Sequence, residues 1–236
     1  MSKVRVDVWA DVACPWCYIG KRQLDRALGR FAHRERVEIV WRAFELDPMA
    51  PRAAEAAPRG VEQLARRYGM PVPQAQAMID HVTEEGQRTG LELRLDRMRA
   101  ASTFDAHRVL QLAVRSGKQG ALFERMMRAM HVEGRAIADR EVLAELAGQV
   151  GLDAAEVAEL LAGDRCATEV RRDESVARQL GITGVPYYVF GGRFTVAGAQ
   201  PFEVLLGALE RGWAELRIPE PQPMELEAAR MLDGCA

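Results

Sequence analysis

Cys14-Pro15-Trp16-Cys17 places two thiols two residues apart, directly after an apolar run over 4–13 and directly before a helical pattern. The placement says more than the spacing. Cys14 falls at a helix N-terminus, where unpaired N–H groups and the helix dipole favour negative charge on sulfur. The thiolate is the form that attacks a disulfide. Pro15 suits the first helical turn, because the N–H it lacks would have no partner there. Cys17, Leu24, Leu28 and Phe31 recur at helical spacing and predict one apolar stripe. Cys17 is therefore expected to face the core, and Cys14 to lie exposed at the open end of the same helix. One thiol that attacks, with a shielded thiol a turn away that resolves the mixed disulfide, is what dithiol exchange requires.

Two other uses of a Cys-x-x-Cys pair compete with that chemistry. Structural zinc takes four ligands, commonly as two close pairs. The remaining cysteines, Cys166 and Cys235, are single and distant, and His33, His81, His107 and His131 show no His-x(3–5)-His spacing. No metal is expected on these grounds. An inert structural bridge needs an oxidising compartment. Asp7 and Asp11 interrupt the stretch where a secretory signal would carry an unbroken apolar core. The expected location is cytoplasmic, where disulfides are usually transient and catalytic.

The elements that must position the pair follow from periodicity. Val4, Val6, Val8 and Val12 alternate with polar residues as in a half-buried strand. A helix over 17–31 comes next, then a β-branched and aromatic strand over 37–41, which makes a βαβ start. Pro48, Pro51 and Pro58 mark a loop. Residues from about 61 to 163 read as several short helices, with Asp139 and Asp153 as helix caps. A helix after Cys166 stops at Gly181. A strand over 185–190, a turn at Gly191-Gly192 and a hairpin partner over 193–196 follow, with a last helix over 201–213. Pro219, Pro221 and Pro223 open a tail expected to be loosely held. This is an α/β, thioredoxin-like topology with an inserted all-helical subdomain. The discontinuous thioredoxin-like part is 1–50 and 164–218, the insert 51–163 and the tail 219–236.

The composition suits a sizeable core. Of 236 residues, 48% are hydrophobic and 28% charged. Lys and Arg number 32 against 34 Asp and Glu, a net charge of −2 that offers no nucleic-acid-binding surface. No apolar run approaches the ~20 residues of a membrane span. Neither nucleic acid nor membrane is an expected partner.

Gly184-Val185-Pro186 is the second constellation. A proline opening a strand fits an edge. It also fits a cis-proline beside the Cys-x-x-Cys, with the Val185 backbone offering strand-like hydrogen bonds to a bound peptide.

Four segments carry a family likeness. Cys-Pro-Trp-Cys-Tyr-Ile-Gly (14–20), Thr-Phe-Asp-Ala-His-Arg (103–108), Gly-Ile-Thr-Gly-Val-Pro (181–186) and Val-Ala-Gly-Ala-Gln-Pro (196–201) resemble the DsbA-like oxidoreductases of the FrnE type, in the family's order and over about 4–215. The resemblance implies a thioredoxin fold with a helical insert, dithiol–disulfide chemistry at Cys14 and Cys17, and a cis peptide before Pro186. The superfamily also holds kappa-class glutathione transferases and 2-hydroxychromene-2-carboxylate isomerases. These usually have a serine at the position of Cys14 and lack the second cysteine. Some FrnE-like members carry a C-terminal cysteine pair; this chain has only Cys235 there.

The expected activity is therefore a protein disulfide oxidoreductase or isomerase. Its partners would be protein or small-molecule disulfides and thiols, with no tightly bound cofactor and glutathione as a redox partner. A glutathione-dependent transferase or isomerase is one alternative, and a partner-binding protein without turnover another. Cys14 is the candidate nucleophile and Cys17 the resolving thiol. Val185, Pro186 and Trp16 are candidates for the substrate groove. His107, at helical spacing from Leu110 and Val114, is either a buried histidine or a groove residue by resemblance. Asp11 is read as ending the first strand, Cys166 as a small buried apolar residue, and Gly198-Ala199-Gln200 as the turn into the last helix.

Overall fold

A computed structural model describes residues 3–51, 60–98 and 101–216. The tail from 219 and Cys235 lie outside the described residues. The first strand, β1 (Val4–Ala10), buries Val4, Val6, Val8 and Ala10 on one side. Val12 is buried beyond the end of the strand rather than within it. Helix α1 (Pro15–Arg30) crosses over to β2 (Val37–Ala43), which lies parallel to β1 in the register Val4 to Val37 through Ala10 to Ala43. Among the described residues, seven α-helices precede the return to the sheet, the first six being α2 (Gly60–Tyr68), α3 (Val72–Arg88), α4 (Phe104–Val114), α5 (Gln119–His131), α6 (Arg140–Gln149) and α7 (Ala154–Ala162). Then come α8 (Ala167–Gln179), the hairpin of β3 (Tyr187–Phe190) and β4 (Phe194–Ala197), and α9 (Phe202–Glu215).

The sheet order is β2-β1-β3-β4, with β3 antiparallel to both neighbours. A three-residue loop joins β3 to β4. Gly191 (φ 58°) and Gly192 (φ 73°) supply the left-handed backbone that it needs. Asp139 and Asp153 cap α6 and α7, accepting from the N–H groups of Glu141 and of Ala155 and Glu156.

Helix α9 packs on β1, β3 and β4 and against α1. Gly212 makes room for that approach, since a Cβ there would sit 3.3 Å from Val4 Cγ1. Helix α8 covers the other face, where Trp9 meets Ala177 and Ile182 and donates its indole N–H to the Asp173 carbonyl (3.0 Å). The free edge of β2 is closed by side chains. Gln119 accepts from Trp41 N and donates to Trp41 O (3.0 and 2.9 Å), and Asp173 accepts from Ala43 N (3.1 Å). These contacts block the C-terminal half of this edge to a further strand. Phe123 of α5 stacks on Trp41 at 4.1 Å.

One hydrophobic cluster runs from Val4, Val8 and Leu24 through Leu122 and Met126 to Leu143 and Leu160. The helices between β2 and β3 thus share their core with the sheet. Cys166 differs from expectation. It is half-buried and adopts a left-handed backbone (φ 64°) as the N-cap of α8. The helix must turn sharply away from the 164–166 connection, and this residue carries the turn. No helix among the described residues is long and apolar enough to cross a membrane.

Candidate active site

The backbone sets the two sulfurs first. Cys14 is the extended N-cap of α1, its N–H bonded to Asp11 O (3.1 Å) and its carbonyl to Cys17 N (3.0 Å). Pro15 occupies the first helical turn, which carries no acidic side chain, so nothing there neutralises the positive end of the helix dipole. Both thiols are free.

The expected contrast in exposure between them is not what the fold delivers. Cys17 is 1% exposed and Cys14 only 4%. The open end of α1 is flanked by α2, α3 and the segments around Leu46 and Met98, which together line an open-mouthed cavity of about 210 Å³. Cys14 lines this cavity and Cys17 does not. The two thiols therefore differ in access to the cavity rather than in access to bulk water. Trp16, a candidate for the substrate groove, is half-buried on the cavity wall and meets the His81 ring of α3 at 5.7 Å.

Val185 and Pro186 stand opposite. The Val185–Pro186 peptide is cis, and the Cys14 thiol donates to Val185 O at 3.6 Å. Gly198 N holds Pro186 O at 2.8 Å, so the Gly198-Ala199-Gln200 turn secures this loop as well as leading into α9. Gly20 of α1 faces the same loop. A Cβ there would lie 2.9 Å from Pro186 Cγ and collide with the Tyr188 hydroxyl.

Asp11 does more than end β1. Its buried carboxylate accepts from Ala13 N (3.1 Å) and Leu46 N (2.7 Å), and its Oδ1 lies 3.5 Å from His107 Nε2. Burial opposes the charge, but the imidazole and the two N–H groups outweigh it and hold the carboxyl below its usual range. His107 is 2% exposed and sits behind Asp11, off the main cavity wall, so it reaches the site only through that carboxylate.

Cys17 is pushed well above the ordinary thiol range. Burial is the main cause, reinforced by its hydrogen bond to and the charge of Cys14, and by the charge of Asp11. Burial likewise raises the Tyr188 phenol, with Cys17 and Cys14 adding to the effect; its hydroxyl has no hydrogen-bond partner among the described residues.

His131 was not singled out by spacing. It is fully buried on α5, and its Nε2 meets Val12 O at 2.9 Å, which ties that helix to the segment leading into Cys14. Burial lowers its pKa to about 4, so the ring is neutral and its Nε2–H donates. A histidine at helical spacing from Phe123 and Met127 is the signal that the sequence offers. Its partner is more than a hundred residues away and had none. Among the described residues, no three His, Cys, Asp or Glu side chains gather as a metal site would need.

A βαβ unit feeding an antiparallel hairpin, a Cys-x-x-Cys pair at the helix start and a cis-proline across from it define a thioredoxin-fold site. The chain belongs to the DsbA-like thioredoxin domain family, whose model matches residues 5–210. It is similar to a probable DsbA oxidoreductase from Streptomyces coelicolor, with 43% identity over 92% of this chain and 93% of that one and a TM-score of 0.85. It is 26% identical to the uncharacterized protein YwbO of Bacillus subtilis over 80% of this chain and 87% of that protein. The cytosolic disulfide reductase DsbM from Pseudomonas aeruginosa, solved with GSH, shares the fold at 22% identity and a TM-score of 0.56, covering 90% of this chain and 96% of that one.

Proposed function

We propose that the protein is a thiol–disulfide oxidoreductase that works through Cys14 and Cys17. The observation that carries this reading is the division of labour between the thiols. Only Cys14 lines the cavity, while burial and two neighbouring charges keep Cys17 protonated. The Cys14 thiolate attacks one sulfur of a substrate disulfide and expels the other as a thiolate. Cys17 then gives up its proton and attacks Cys14 Sγ, which releases the second substrate thiol and leaves a Cys14–Cys17 disulfide. The reverse sequence oxidises a dithiol. Val185 and Pro186 form the wall against which the substrate sulfur lies, and Trp16 forms part of the lip.

The likeness to a probable DsbA oxidoreductase supports this chemistry. The GSH-bound DsbM neighbour favours glutathione as the thiol that resets the pair, in a cytoplasmic setting. Residues 51–163 act in this scheme as an inserted helical unit that roofs the site, and 1–50 with 164–218 as the thioredoxin-like unit.

Turnover of insulin disulfides, of scrambled ribonuclease or of a small disulfide such as dithiodipyridine is the test, any one of them sufficing. Activity should be present in the parent protein and absent in Cys14→Ser. Retained activity in that variant, with glutathione conjugation or chromene isomerisation detected, would favour a glutathione transferase or isomerase instead. Inactivity of the parent in every assay would leave a binding role.

A further inference from the structure

The cavity in front of Cys14 is shaped and lined for more than exchange. Its walls come from Trp16, Leu64, Ile79, Val82, Leu95 and Met130. At about 210 Å³ it exceeds the roughly 150 Å³ apolar cavity that accommodates benzene. It has room for one aromatic ring with substituents. The apolar lining continues outward, since Tyr68 and Met78 line the cavity yet are 55% and 39% exposed.

Polar groups are few and mostly engaged. Besides Cys14 and the Tyr68 phenol, the ionisable side chains on the wall among the described residues are Asp11, Asp47 and Arg67. Asp11 is occupied by two N–H groups and His107, Asp47 accepts from Met49 N (3.2 Å), and Arg67 donates to Leu46 O (3.0 Å). Among the described residues two carboxylates stand against one guanidinium on a wall that is otherwise largely apolar. Selection rests on apolar shape.

We infer that the substrate of this site is a low-molecular-weight aromatic disulfide whose ring occupies the cavity while its sulfur meets Cys14. The inference rests on the exchange reading above. A peptide is the weaker occupant on physical grounds. It would bring an N–H and a C=O with every residue against a largely apolar wall, and each group left unpaired is costly. Val185 O, the nearest strand-like acceptor, is already engaged by the Cys14 thiol in the dithiol form. A folded protein would also have to bring its sulfur to a thiol that is 4% exposed. An aryl disulfide carries no backbone and meets neither obstacle.

The reaction balances without an added reagent. Cys14 thiolate attacks ArS–SAr, the S–S bond breaks, and one ArS⁻ leaves with Cys14–S–SAr formed. Cys17 attacks Cys14 Sγ and the second ArS⁻ departs. The two protons of the dithiol end on the two aryl thiols, so two electrons pass from protein to substrate.

The test is single-turnover oxidation of the reduced protein by dithiodipyridine, by bis(hydroxyethyl) disulfide and by a disulfide-linked peptide with phenylalanine beside its cysteine. Each rate is divided by that of dithiothreitol with the same disulfide, which removes intrinsic reactivity. The expected normalised rate for dithiodipyridine is at least about ten-fold above that for bis(hydroxyethyl) disulfide, equivalent to about 1.4 kcal/mol. Ile79→Trp and Leu64→Trp fill the cavity from different helices, and in each folded variant this ratio should fall about five-fold or more. An unreactive aryl thioether should also slow iodoacetamide alkylation of Cys14 in the parent protein.

Equal normalised rates for the two small disulfides would overturn the proposal. So would a peptide that outpaces dithiodipyridine, which would make the occupant a side chain of a protein substrate. If none of the three forms a mixed disulfide on Cys14 or a Cys14–Cys17 disulfide, the exchange reading itself fails and this one falls with it.

Discussion

At the scale of residues, the chemistry depends on keeping the two thiols in different states. Asp11 contributes charge and Cys17 contributes burial, and both disfavour a second thiolate beside Cys14. Cys17→Ser should therefore stop at the mixed disulfide, and mass spectrometry of the variant with substrate should show the adduct on Cys14. A cleanly turning-over Cys17→Ser would contradict the resolving role. Asp11→Asn removes the charge but keeps the shape. In a Cys14→Ser background, the pH profile for alkylation of Cys17 should move to lower pH when Asn replaces Asp11. The same change sets an amide N–H₂ against the Ala13 or Leu46 N–H. It should cost on the order of 1–3 kcal/mol in urea unfolding. An unmoved profile would mean that the Asp11 charge does not govern Cys17.

At the scale of elements, the site is a junction of α1 with the β3 loop, and Gly20 is where they come closest. Gly20→Ala should lower stability by about 2–3 kcal/mol, because a rigid buried ring and a proline, not a flexible chain end, stand in the way. Tyr188→Phe removes a buried hydroxyl that has no partner and should be neutral or stabilising by up to about 1 kcal/mol. Combined with Gly20→Ala it should recover part of the loss, since the hydroxyl is the nearest obstruction. Thermal melts of the two single variants and the double variant measure this coupling; strict additivity would argue against the contact.

The whole molecule ties site to scaffold through buried titratable groups. His131 is neutral in the fold with a pKa of about 4, against 6.5 when unperturbed. Between these values the unfolded chain binds a proton that the native state refuses, so stability falls as pH drops from about 6.5 to about 4. The full difference is up to about 3 kcal/mol. Asp11 adds its loss only below about pH 4, because its depressed carboxyl stabilises the fold only while ionised. Glu45 opposes His131. Burial and the neighbouring Glu174 raise it from 4.5 to about 6, so the native state takes up a proton first and gains on acidification through that window. Urea unfolding at neutral pH and near pH 5 should show a net loss at the lower pH. His131→Gln, whose amide can still donate to Val12 O, should flatten that dependence. Because one apolar cluster joins the sheet to the helices between β2 and β3, a single cooperative melt is expected. Two separate transitions would mean that the helical unit is independently stable.

The local signals were legible in the sequence because they are local. Cys14-Pro15 at a helix start, the apolar stripe that buries Cys17, the caps at Asp139 and Asp153, and the Gly191-Gly192 turn each depend on residues within a few positions of one another. The order of strands and helices followed from periods of two and 3.6. What the tertiary structure alone decided depends on residues far apart in the chain. Asp11 reads as a strand end until Leu46 N–H and His107 reach it, and His131 has no visible role until Val12 O is placed beside it. The exposure of Cys14 was misjudged for the same reason. Helical spacing reports which side of α1 faces the sheet, but it says nothing of α2 and α3 closing over its end to make the cavity.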